Sequence, residues 1–226
     1  MKLVCKNYGM EIPLLENQSV VFVIENPKAY SEILESFWNQ TRGNGSADRL
    51  ILSEDEKIKD ISKELECIFN PFDLDCNNKK VLSKLYTELH EMTNINLIQE
   101  VAEINQNLVK FLDQVTNQVP YPIDFELELN LQALFKLYQV RVETEEGDLL
   151  NRVISYLKVM HRICNIKVYA FVGLKQYLQE EELRQLYEFV SYEKIFLVML
   201  EAGESERLDS EKYWILDRDL CIIEPD

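Results

Sequence analysis

Three short runs constrain this chain more than anything else in it: Val20-Val-Phe-Val-Ile24, Lys167-Val-Tyr-Ala-Phe-Val172 and Ile195-Phe-Leu-Val-Met-Leu200. Side chains alternate between faces along a strand, so a strand with one wet face alternates apolar and polar residues. These runs hardly alternate. They read as strands covered on both sides, which is the condition of parallel strands in an α/β layer. Helices follow from the same logic. Pro27 suits a first helical turn and opens a helix over Ala29–Trp38. Leu149–Cys164 and Glu180–Tyr192 carry apolar positions at helical spacing. Strand–helix–strand alternation at both ends of the chain predicts an α/β fold with a mostly parallel sheet.

Shorter signals fill in the rest. Residues 2–5, 10–15, 50–52, 213–216 and 220–223 read as strands, and residues 56–69 as an amphipathic helix ended by Pro71. From Lys79 to Val119 the pattern is helical throughout, with Leu82, Leu85, Leu89, Ile98, Val101, Ile104, Leu108, Phe111 and Val115 stepping by three and four. A strand over 122–130, a short helix over 131–138 and a strand over 139–143 follow. The long helical middle reads as an insertion. The expected organisation is a discontinuous head, 1–76 and 144–226, with a mainly helical insertion at 77–143.

Composition narrows function. The 226 residues carry 40 acids against 24 bases, a net charge of −16. On average such a surface repels nucleic acid and anionic membrane, so binding to a polyanion needs a local basic patch or cations. No apolar run is long enough to span a bilayer, and the first fifteen residues show no signal-peptide core. The five scattered cysteines include no Cys-x-x-Cys, which favours a reducing cytoplasm with free thiols.

Several familiar chemistries are missing their parts. A phosphate loop after the first buried strand would need glycines and a Lys-Ser/Thr pair; "VIENPKAYS" (23–31) has neither, and Glu25 repels phosphate. Lys28 remains as a basic surface residue. His90 and His161 sit on predicted helices without a nucleophile partner in sequence. "DLDCNNKK" (73–80) opens like a calcium loop but has Asn78 where the glycine belongs and reaches Lys84 where the bidentate acid belongs. Asn77 or Asn78 as a helix cap accounts for it.

Two signals remain. In "PIDFELELN" (122–130) an extended chain sets Asp124, Glu126, Glu128 and Asn130 on one face, neighbours about 6–7 Å apart. Crowded carboxylates raise one another's pKa, and a hard divalent cation removes that cost. Oxygen donors without His or Cys favour Ca²⁺ or Mg²⁺. The residues leave two readings open: a metal site, or a strand with its polar face in water. The second signal is the absence of any Asp or Glu from Leu149 to Gln179, where Arg152, Lys158, Arg162, Lys167 and Lys175 stand. Lys158 and Arg162 share a helix face. Concentrated positive charge is enough for phosphate contacts that do not read sequence.

The chain also resembles a known family through "IPLLENQSVVFVIEN" (12–26), "FDLDCNNKKVLSKLY" (72–86), "IDFELELN" (123–130), "VRVE" (140–143) and "WILDRDLCII" (214–223), together with the two later buried strands. It resembles the small CRISPR-associated spacer-acquisition proteins of type II-A loci, over essentially its whole length. The resemblance implies an ATPase-like α/β head lacking the phosphate loop and an inserted helical leg. It implies Ca²⁺ in the leg, on Asp124, Glu126 and Glu128. It implies a homotetrameric ring without catalytic activity that binds ends of double-stranded DNA. The implied partners are the integrase components and the RNA-guided nuclease of the same locus. The "RGNGSAD" loop (42–48) is longer than the family pattern. The expected DNA contacts, Lys28, Arg152, Lys158 and Arg162, come from the placement of basic residues and not from a family motif. Two rival readings stand beside this one: a metal-dependent nuclease or divergent nucleotide hydrolase using the acidic cluster, and a protein-only scaffold.

Overall fold

Strand β3 (Ser19–Ile24) is buried at every position, and the reason is its neighbours. It pairs in parallel with β8 (Phe196–Glu201) on one side and with β9 (Glu211–Leu216) on the other. The computed structural model describes residues 1–44, 49–144 and 147–224. Within them β7 (Val168–Val172) and β6 (Leu65–Ile68) extend the parallel sheet beyond β8, and the short β10 (Ile222–Ile223) closes the other edge antiparallel to β9. The six-stranded order is β10-β9-β3-β8-β7-β6. A second, antiparallel sheet runs β2-β1-β4-β5, built from Lys2–Cys5 (β1), Met10–Pro13 (β2), Leu50–Glu54 (β4) and Lys57–Lys59 (β5). Helix α1 (Pro27–Thr41) belongs to the core between these elements. Phe22, Ile33, Phe37, Leu52, Leu65, Val198 and Leu200 form one cluster there, each at most 3 % exposed. At roughly 1.5–3 kcal/mol per fully buried large side chain, this cluster is the main source of stability.

The chain divides into two compact units, 1–76 with 144–226, and 77–143. The first holds both sheets, α1, α6 (Leu149–Cys164), α7 (Glu180–Tyr192) and the one-turn α2 (Ile61–Glu64). The second holds α3 (Lys79–Asn96), α4 (Ile98–Thr116) and α5 (Leu131–Leu137). Its two ends are clasped by one side chain. The Asn77 amide donates to the Val142 carbonyl at 3.0 Å and accepts from the Val142 amide at 2.8 Å. Inside it the Tyr86 hydroxyl donates to the Val140 carbonyl at 3.0 Å, and its ring packs on Phe135.

Four local expectations are corrected. Residues 56–69 form no single helix. Asp55 and Glu56, at φ 49° and 63°, make a two-residue hairpin turn from β4 into β5; Asp60 then caps α2, and β6 pairs with β7. Ile61, Leu65 and Ile68 are spaced as on a helix, but pairing with the sheet outweighs that pattern. The helical stretch over 79–119 breaks at Leu97, whose ψ of 31° lies outside the helical range, after the weak helix formers Asn94 and Asn96. Residues 122–130 and 139–143 join no strand ladder, and the chain bends at Glu128. Alternation had suggested a strand for 122–130, but a strand also needs a ladder partner, and both of these segments satisfy backbone groups through side chains instead.

Candidate nucleic-acid interface and acidic segment

Helix α6 carries the basic residues because its ends are well capped and its inner face is apolar. The Asp148 carboxylate accepts from the Asn151 amide at 2.9 Å, and Asn165 closes the helix in the left-handed region at φ 57°. Leu150, Val153, Tyr156, Leu157 and Met160 are buried, leaving Arg152, Lys158 and Arg162 exposed. At about 100° per residue, Lys158 and Arg162 lie about 40° apart and Arg152 about 80° further round. Lys28 is also exposed, but at the start of α1.

The acid-free run in sequence does not stay acid-free in space. Arg162 donates to Glu193, the C-cap of α7, at 2.7 Å. Lys167 stands 4.0 Å from Glu54 of β4. Lys175 is only 4 % exposed, and its ammonium donates to both oxygens of the fully buried Glu211, at 2.6 and 2.8 Å. Two of the five cations are thus neutralised by carboxylates from elsewhere, and Lys167 shares Glu54 with Lys59, which is closer at 2.8 Å. Arg152 and Lys158 have no ion-pair partner among the described residues, and neither has Lys28.

The turn after β3 holds no phosphate cradle. The amides of Lys28 and Ala29, which would face an anion at the start of α1, both donate to the Asn26 side chain, at 3.0 and 3.1 Å. The other end of that side chain donates to the Arg218 carbonyl at 2.9 Å, fixing it in place.

The acidic segment is open. Asp124, Glu126, Glu128 and Asn130 are exposed, and so are Ile123 and Leu127. Asp124 accepts from the next amide, that of Phe125, at 3.0 Å. The Leu127 carbonyl accepts from Asn105 of α4 at 2.9 Å, and the Asn130 oxygen is committed to capping α5 through the Ala133 amide at 2.9 Å. The donors are hard oxygens of the kind Ca²⁺ takes. Their arrangement does not enclose an ion: among the described residues no three acidic, histidine or cysteine side chains gather in a group that could hold a metal. Two further acids that follow in sequence, Glu145 and Glu146, lie outside the described residues.

A buried polar cluster in the head carries no motif. Lys175 donates to the Tyr213 hydroxyl at 2.7 Å and the Glu206 carbonyl at 3.0 Å as well as to Glu211. Glu211 also accepts from the Tyr187 hydroxyl and from the Leu208 amide at 2.9 Å. The Lys175 amide donates to Glu201 at 3.2 Å, and burial raises the Glu201 carboxyl above its ordinary range. Every donor proton of the Lys175 ammonium is engaged, so this cluster ties β8, β9, α7 and the loop between the strands together and leaves nothing for an incoming group. A lysine and a glutamate 36 positions apart gave no sequence signal.

The profile of the CRISPR-associated protein family Cas_Csn2 matches residues 43–220. The chain belongs to the CRISPR-associated Csn2 family. A Csn2 protein of Streptococcus agalactiae is 20 % identical over 95 % of this chain and 94 % of its own length. Another, from Enterococcus faecalis, is 19 % identical over 85 % of this chain and 86 % of its own. This Csn2-family chain is also similar to solved ATP-binding cassettes of ABC transporters. One in an ADP conformation is 14 % identical, with TM-score 0.45, over 95 % of this chain and 82 % of that one. A nucleotide-free cassette is 14 % identical, with TM-score 0.43, over 96 % and 85 %. No helix among the described residues of this family member is long and apolar enough to cross a membrane.

Proposed function

We propose that this Csn2-family chain binds ends of double-stranded DNA without reading sequence and without catalysis. It would act as a calcium-stabilised homotetrameric ring in the acquisition of new CRISPR spacers, beside the integrase and RNA-guided nuclease of its locus. The observation that carries the DNA part is the outer face of α6. There Arg152 and Lys158 are exposed without an acidic partner among the described residues, in a chain of net charge −16. Phosphate contacts need only such charges. The filled start of α1 supports a role other than nucleotide turnover.

Self-association has its own support in α4. Val101, Ile104, Leu108, Phe111 and Val115 step by three and four along one side, and no α4 residue is buried in the single chain. Phe111 is 60 % exposed. Beside this seam Asn105, Asn107, Leu112 and Gln114 carry no charge, and the one flanking acid, Glu100, lies at its N-terminal end, so like-charge repulsion between two copies is small. Calcium belongs to the reading on donor chemistry alone.

The test is binding of a blunt duplex and of a closed circle, measured by anisotropy or gel shift, with native mass spectrometry in calcium and in EDTA. Expected results are four subunits, preference for the linear duplex, and loss of affinity in EDTA. Arg152→Glu with Lys158→Glu should weaken binding at least tenfold and flatten its salt dependence. Cleavage of DNA or hydrolysis of ATP that Glu126→Ala abolishes would overturn the reading in favour of an enzyme. No shift of any duplex at low salt would leave a protein-only scaffold.

A further inference from the structure

The parallel sheet ends at β6, and no strand pairs with its outer side among the described residues. A groove of about 340 Å³ runs beside that edge, lined by the consecutive residues Glu66–Asn70. Trp38 and Arg42 of α1 form one wall, with Asp73 and Tyr156 elsewhere on the lining. Trp38 is 45 % exposed and meets Phe69 edge to face, with ring centroids 5.1 Å apart. An open strand edge offers a row of main-chain donors and acceptors, and a flanking aromatic offers an anchor for alternate side chains.

The charges of the groove select what can lie in it. Two of its side chains, Glu66 and Asp73, are carboxylates. The only cation, Arg42, is turned onto its own helix, its guanidinium 3.2 Å from the Trp38 ring centroid and donating to the Trp38 carbonyl. The wall is also the C-terminal end of α1, whose carbonyls carry partial negative charge and meet one basic residue there, Arg42 at the C-cap. The chain as a whole is strongly acidic.

We propose that β6 is a docking edge for an extended, basic segment of a partner protein, which adds as a further strand and sets alternate apolar residues against Trp38 and Phe69. Four residues, Leu65–Ile68, span about 13 Å of edge, enough for two to four main-chain hydrogen bonds. Its lining takes Tyr156 from α6 but none of the basic residues assigned to DNA.

The probe is a fluorescein-labelled ten-residue peptide of alternating arginine and valine, titrated into the full chain. Two comparison peptides replace arginine by glutamate, or carry N-methyl groups on alternate amides. The expected result is saturable binding, at least tenfold weaker for each comparison peptide, with new amide-exchange protection at residues 66–70. Trp38→Ala with Asp73→Lys should weaken it at least tenfold while leaving blunt-duplex binding unchanged. Equal binding of the acidic or N-methylated peptide to the unaltered chain overturns the proposal, whatever the variant does. So does protection that falls elsewhere, or protection of 66–70 by self-association or duplex alone.

Discussion

Replacing Lys175 by methionine isolates the buried cluster. The substitution keeps the length of the side chain and removes the ammonium that donates to both oxygens of Glu211, whose side chain is 0 % exposed. Removing one partner of a buried ion pair costs about 3–5 kcal/mol, because the other charge is left without compensation. Here the Tyr187 hydroxyl and the Leu208 amide still donate to Glu211, so the lower end applies. About 3 kcal/mol in a chain of this size lowers Tm by about 6–12 °C. Urea unfolding followed by the fluorescence of Trp214, on β9 itself, reads the change. Two protein concentrations tenfold apart separate unfolding from self-association. Adding Glu211→Gln should recover a substantial part of the loss, since a neutral amide oxygen still accepts from Leu208. A single variant that loses under about 1 kcal/mol, or a double variant no better than the single, refutes the idea that this charge pair holds the loop and strands together.

Glu201→Gln should stabilise the protein, and more at pH 8 than at pH 4. Burial raises the folded-state carboxyl, so its contribution is present at low pH and is lost as pH rises through the folded value; chemical unfolding at both pH values checks this. Glu56→Gly should add about 0.5–1 kcal/mol, because the position has φ 63° and Asp-Gly suits a two-residue hairpin; the urea midpoint reads it. Asn77→Ala should cost about 1–3 kcal/mol by leaving the Val142 backbone without its two partners, seen as faster amide exchange in 77–143 and not in the sheets.

The parts of this fold legible in sequence are those where local pattern and tertiary surroundings agree. Helices α6 and α7 run over the residues their periodicity predicts, because their apolar faces meet the sheet and their ends carry their own caps. Strand β3 reads as doubly covered because both its faces are buried, Val20, Phe22 and Ile24 in the cluster with α1 and Val21 and Val23 on the other side. Where the two levels disagree, pattern misleads. The spacing of Ile61, Leu65 and Ile68 mimics a helix. The alternation of 122–130 is intact, yet no strand lies alongside to use it. The basic run was misread for a related reason: charge balance is a property of space. Glu193 and Glu211 neutralise Arg162 and Lys175 from 31 and 36 positions away, and Glu54, paired with Lys59, comes to 4.0 Å from Lys167. Arg152 and Lys158 alone among the five cations stay without an ion-pair partner among the described residues. The groove beside β6 could not be read at all, since an edge is defined by the strand order.

The Asn77–Val142 clasp makes the helical unit separable in a practical sense. Because its entrance and exit are fastened side by side, whatever lies between them can grow, shrink or be exchanged while the host sheet keeps its spacing. A short glycine bridge from Cys76 to Thr144 should therefore yield a free-standing head, and grafting a foreign hairpin of matching ends should be tolerated there better than at any other loop of the chain.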